Sequence, residues 1–170
     1  MINQEDKEIE RLLIELGLAV FNAQSLEYST VSLYAATELR GCDHSSTPQL
    51  RELMDTRYTH TLGRLVRDAA LSLGLEDDLT QELQKGLQER NWLIHHFYRE
   101  YAPAAFDSEL RRRAISKIKS IRANLEKASQ AVYDEAVNRI LATGISQDEL
   151  EVEIKQATER YIAEKLKEAT

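Results

Sequence analysis

EDKEIERLLIELGLAVFNAQSLEYSTVSLYAATELR, Glu5 to Arg40, decides the fold class. Ile9, Leu12, Leu13, Leu16, Val20, Ala23, Leu26, Leu33 and Ala36 recur along it at helical spacing, and the spacing predicts one long amphipathic helix. Gly41 supplies a stop after it. The rest of the chain agrees. With 6 Gly and 2 Pro among 170 residues, it lacks the turn residues that an all-β chain needs, and 42% apolar content argues against disorder. One all-α domain of this size buries enough surface to form a core without cross-links.

Downstream, GCDHSSTP from Gly41 to Pro48 reads as a loop, with Thr47 as N-cap, Pro48 at the first helical position and a short helix through Leu50, Leu53 and Met54. Leu62, Leu65, Val66, Ala69 and Leu73 predict a third helix closed by Gly74. A fourth is expected from Asp77 to about Tyr101, ahead of Pro103. A fifth begins at Asp107 or Ser108 and carries Leu110, Ala114, Ile118, Ile121, Leu125, Val132, Ala136 and Ile140 to near Gly144. Ser146 and Glu149 form a capping box for a last helix, Gln147 to about Glu168. The expected architecture is an antiparallel helical bundle over residues 1–144, with the acidic helix of 145–170 packed on it or on a partner. Neither an internal repeat nor a strand pattern is present.

The formal charge is −7, which disfavours indiscriminate binding to nucleic acid or anionic lipid. A local strip runs the other way: Arg111, Arg112, Arg113, Lys117, Lys119, Arg122 and Lys127 stand against Glu109 and Glu126. It reads either as a solvated helix face or as a phosphate-facing surface. The single Cys42 excludes an internal disulfide and fits a reducing compartment. The acidic start MINQEDKEIE has no secretory character, and no apolar run reaches membrane-spanning length, so a cytoplasmic protein with no membrane partner is expected. Cys42 and His44 fall short of a zinc ligand set, and no phosphate-cradling Gly loop occurs, so neither metal nor cofactor is expected.

QERNWLIHHFYREY, Gln88 to Tyr101, concentrates the chemistry. Asn91 and His95 are four positions apart and share a helix face, whereas Arg90 lies about 140° from His95 and must curl to reach the same cleft. Metal-free RNA cleavage needs a base, an acid and a cation on the phosphorane. One His and one Arg are too few, but an isologous dimer supplies each residue twice. On these residues alone, the favoured reading is a structural role for the Arg-Asn pair and for a buried His95 or His96.

Arg90-Asn91-Trp92-Leu93-Ile94-His95 resembles the signature of the HEPN superfamily, an Arg, usually followed by a polar residue, and a His with four to six positions intervening between them. Thr61-Leu62-Gly63-Arg64-Leu65 and the long first helix are similar to bacterial HEPN-like proteins as well. The resemblance implies a metal-independent endoribonuclease of bacterial defence or toxin-antitoxin type, with a composite site across a homodimer. It implies catalytic roles for Arg90 and His95, with Asn91 supporting them and His96, Arg99 and Tyr98 accessory. RNA would lie along Arg111, Arg112, Arg113, Lys117 and Lys119, and a cognate antitoxin such as a nucleotidyltransferase is an expected partner. In HepT-type toxins a Tyr stands two positions after the His; from His95 that position is Phe97, and from His96 it is Tyr98. Competing readings are a non-catalytic interaction or dimerisation module and a regulatory subunit of a separately encoded nucleotidyltransferase.

Overall fold

The structure, a computed structural model, describes residues 4–38 and 54–168. Cys42, His44, the Thr47-Pro48 helix start, and Leu50 and Leu53 of the expected short helix lie outside them. Residues 54–58 are helical. The helices are α1 (Gln4–Glu38), α2 (Leu62–Ser72), α3 (Asp77–His95), α4 (Phe97–Tyr101), α5 (Ser108–Leu141) and α6 (Gln147–Glu168), with a 3-10 turn at Ala102–Ala105 between α4 and α5. No strand occurs among the described residues.

Local chemistry sets the helix ends. The Thr61 hydroxyl accepts from Arg64 N–H at the start of α2, and Asp107 accepts from Leu110 N–H at 2.7 Å ahead of α5. Gly74 and Gly144, at φ of 59° and 99°, occupy the left-handed conformation that ends a helix. At α6 the Ser146 N–H donates to Glu149 Oε2 at 2.9 Å while Glu149 N–H donates back to Ser146 Oγ at 3.3 Å.

The two long helices form the spine. Along α1 the residues facing inward, Leu12, Leu16, Ala19, Ala23, Leu26, Thr30 and Leu33, advance by alternate steps of four and three. Ala114, Ile118, Ile121, Leu125, Ala128 and Val132 do the same along α5. This is a heptad seam, with alanines at Ala19, Ala23, Ala114 and Ala128 allowing close approach. Burial of each Leu or Ile in it contributes about 1.5–3 kcal/mol, which outweighs any intrinsic helix preference of one residue.

The seam is parallel: α1 and α5 run the same way, as the first and third long helices of an up-down-up bundle do. Asn22 Nδ2 donates to the Arg122 carbonyl and Ser29 Oγ bonds Ser129 Oγ, each pair 100 positions apart; Glu8 with Arg111 and Thr37 with Arg139 are offset by 103 and 102. A near-constant offset means that the two helices advance together. The chain returns between them through α3, which is antiparallel to α5: Glu82 meets Lys127, Lys85 meets Asn124, and Trp92 meets Lys117. Gly86 makes that return possible. A Cβ there would lie 2.6 Å from Leu26 Cδ2 and 3.2 Å from Ala128 Cβ, so α3 sits directly in the groove between α1 and α5.

A buried arginine ties each end of the spine. Arg111 is 1% exposed, donates from Nη1 to the Ala104 and Ala105 carbonyls at 3.2 and 3.0 Å, and pairs with Glu8 and Glu5 of α1. Arg139 pairs with Glu135 at 2.6 Å and donates to Thr37 Oγ1 and the Leu73 carbonyl. Beyond it, α6 is different: every residue from 151 to 167 is exposed. Among the described residues, no helix is long and apolar enough to cross a membrane.

Candidate functional site

Asp77 and Asp78 start α3 where the helix dipole favours carboxylates, and its last two turns carry the Arg-to-His motif to the end of the bundle near the start of α5. Leu93 is the anchor. It is 4% exposed and packs in one cluster with Leu12, Ala19, Ala114 and Ile118. Burying Leu93 turns its neighbours outward: Arg90 and Asn91 are half-buried, while Ile94 and His95 are exposed. Arg90 Nη1 donates to Asn91 Oδ1 at 3.2 Å, which restrains the guanidinium at the site.

The expected continuous helix from Asp77 to Tyr101 breaks at His96, where φ of −115° and ψ of −28° end α3 and start α4. No Pro or Gly marks this break; side chains hold it. Trp92 Nε1 donates to Glu100 Oε1 at 2.9 Å, its ring meets Phe97 and Tyr101 edge-on at 6.1 Å, and those two rings stack at 5.8 Å. Lys117 Nζ lies 5.3 Å from the Trp92 ring centre, a cation–π contact that joins α5 to the same staple. His96, Tyr98 and Arg99 are exposed around the break, Tyr98 by 79%.

The basic strip is not brought together as a free surface. Arg111 belongs to the interior, because the chain needs its donors for two carbonyls and two α1 carboxylates; it is withdrawn from any exposed phosphate-facing row. Arg112 and Arg113 are exposed but both pair with Glu109, whose carboxyl they hold below the usual range. Lys119 and Arg122 converge on Glu15, which is 9% exposed. Of the five expected RNA contacts, Lys117 alone reaches the motif helix through a contact with one of its side chains among the described residues.

Sequence reasoning missed Glu89. Its Oε1 accepts from Asn124 Nδ2 at 2.7 Å and its Oε2 is buried without a hydrogen-bond partner, so burial raises its pKa against the lowering effects of Asn124, Lys85 and Lys117. An acid beside an Arg ordinarily reads as a surface pair. Trp92 and Glu100 were equally hidden, since they lie eight positions apart and meet only because the helix bends between them.

A second surface lies on α1, opposite its seam: Leu13 (61% exposed), Ile14, Leu18, Phe21 (64%) and Tyr28 form an apolar face around Gly17. Nothing lies within 4 Å of where a Gly17 Cβ would stand, so no contact inside the chain requires that glycine. Among the described residues, no group of three His, Cys, Asp or Glu side chains is arranged to hold a metal ion. No protein-family model matches the chain, and neither a curated protein nor a solved structure matches it.

Proposed function

We propose that the chain is a metal-independent endoribonuclease of HEPN type, acting as a pair of copies in bacterial defence or a toxin-antitoxin system. The observation that supports this reading is the pairing of a half-buried Arg90, restrained by Asn91, with an exposed His95 one turn beyond Asn91 on the same helix. In the proposed reaction His95 of one copy takes the proton of a ribose 2′-hydroxyl, and the 2′-oxygen attacks the adjacent phosphorus. His95 of the other copy gives a proton to the departing 5′-oxygen, leaving a cyclic phosphate and a free 5′-hydroxyl. Arg90 offsets the charge of the phosphorane. His96, Tyr98 and Arg99 stand at the rim as accessory groups, and Lys117, Arg112 and Arg113 remain the exposed cations for the RNA backbone.

The apolar α1 face supports the pairing. Leu12 and Ala19, which share a cluster with Leu93, lie on the stretch of α1 that carries Leu13 to Phe21, so the face and the motif occupy the same half of the bundle. A contiguous exposed apolar face marks an interaction site more often than apolar residues scattered singly do. RNA cleavage in the presence of a chelator tests the function. His95→Ala and Arg90→Ala, checked for intact helix content, are expected to lose about a hundred- to ten-thousand-fold in rate. Full cleavage by either variant ends the reading.

One observation favours the second reading, a non-catalytic interaction module or regulatory subunit of a nucleotidyltransferase: Glu5, Glu8, Glu15 and Glu109 neutralise most of the basic strip. That reading expects no cleavage at any protein concentration. Any RNA binding should also depend weakly on salt, because few cations are free to release phosphate counterions.

A further inference from the structure

Beyond its first turn, the apolar stripe of α6 is exposed among the described residues. Leu150, Ile154, Ala157 and Tyr161 advance by four, three and four, which keeps them within about 60° around the helix axis. Leu150 is half-buried; Ala157 is exposed, and Ile154 and Tyr161 are 44% and 57% exposed. This is a seam of a and d positions over two heptads, the spacing with which two helices lock together. The flanks of the seam carry Glu153 and, seven positions on, Arg160, whose charged groups lie 4.0 Å apart along the helix and can exchange this pair for the same pair made with a second copy; Lys165 and Lys167 lie near the end of α6.

We propose that α6 is a self-recognition helix that joins two copies of the chain as an antiparallel coiled coil. Side-chain identity selects both partner and direction. In the antiparallel register Leu150 faces Tyr161 of the second copy and Ile154 faces its Ala157, pairing large with small in each central layer. Glu153 then lies beside Arg160 of the second copy, and Arg160 beside its Glu153, two ion pairs related by the two-fold axis. A parallel pair would set Ala157 on Ala157, leaving a gap, and Glu164 on Glu164 within the seam. It would also place Arg160 beside Lys165 of the second copy. Charge and volume therefore both exclude the parallel arrangement.

This contact is independent of the proposed nuclease site. Helix α6 follows Arg139 at the C-terminal end of α5, whereas the motif lies where Lys117, near the start of α5, meets Trp92. The full-length chain carrying Phe21→Asp, which disables the α1 face, isolates the α6 contact for sedimentation equilibrium. Over about 1 µM to 1 mM it is expected to dimerise. Glu153→Arg and Arg160→Glu, each alone in that background, should weaken the dimer about tenfold or more, because like charges then meet across the seam. An equimolar mixture of the two single variants should recover the affinity of the Phe21→Asp chain, since their opposite charges match only between different copies. A monomer throughout that range, single variants that dimerise as well as the Phe21→Asp chain, or a mixture no tighter than its components would each overturn the proposal.

Discussion

Single residues of this chain take roles that their type does not announce. Arg111 stands in an Arg triplet yet is the buried clamp of α1, the 3-10 turn and α5. Arg111→Ala should destabilise the protein by about 2–4 kcal/mol in urea unfolding, because two carbonyls and two carboxylates lose their partner. Arg112→Ala and Arg113→Ala should leave the urea midpoint essentially unchanged, as exposed pairs contribute little. Equal effects at all three positions would contradict the clamp. Glu89 yields a pH dependence. Its raised pKa means that the fold takes up this proton more readily than the unfolded chain does. The stability it contributes is full below the ordinary carboxylate range and is lost as pH rises through the raised value. Glu89→Gln cannot ionise, so its stability should gain on that of the parent as pH rises from the ordinary carboxylate range through the raised value. A gap that is flat or closes with rising pH would count against a buried carboxyl.

At the scale of elements, periodicity and end signals made the helices legible. The stops at Gly74 and Gly144, the Asp107 cap and the Ser146–Glu149 box lie where residue chemistry places them, because each is a contact within four residues. The break at His96 was not legible. Its determinants are a Trp92–Glu100 hydrogen bond and a Lys117 contact from another helix, and neither leaves a local signature. The motif itself showed in the spacing of Arg90, Asn91 and His95, but the exposure of His95 follows from the burial of Leu93, which depends on α1 and α5. Gly86 carries no sequence signal of its role, though its position is dictated by close packing. Gly86→Val should lower the melting temperature, since overpacking at about 1–3 kcal/mol exceeds the gain in helix propensity, which is under about 1 kcal/mol. An unchanged or raised melting temperature would mean that α3 does not lie in the groove.

Over the whole molecule, the direction of α5 relative to α1 was beyond the reach of pattern reading, because a heptad seam looks the same whichever way its partner runs. The polar contacts decide it. Ser29→Cys with Ser129→Cys, in a Cys42→Ser background, should form an internal disulfide, since the two hydroxyls are 3.0 Å apart across the parallel pair. Closing so long a loop should add about 2–4 kcal/mol. Failure of the bond to form under oxidation would argue for another topology. The α1 face and the α6 seam are the two surfaces proposed to meet a second copy, and the proposed nuclease depends on the first. The most direct measurement is the rate of RNA cleavage per mole of chain, in chelator, as protein concentration is raised. A site built from two copies requires a specific rate that climbs with concentration to a plateau and falls by a hundredfold or more in His95→Ala. A specific rate independent of concentration, or no cleavage above that of His95→Ala at any concentration, would contradict it.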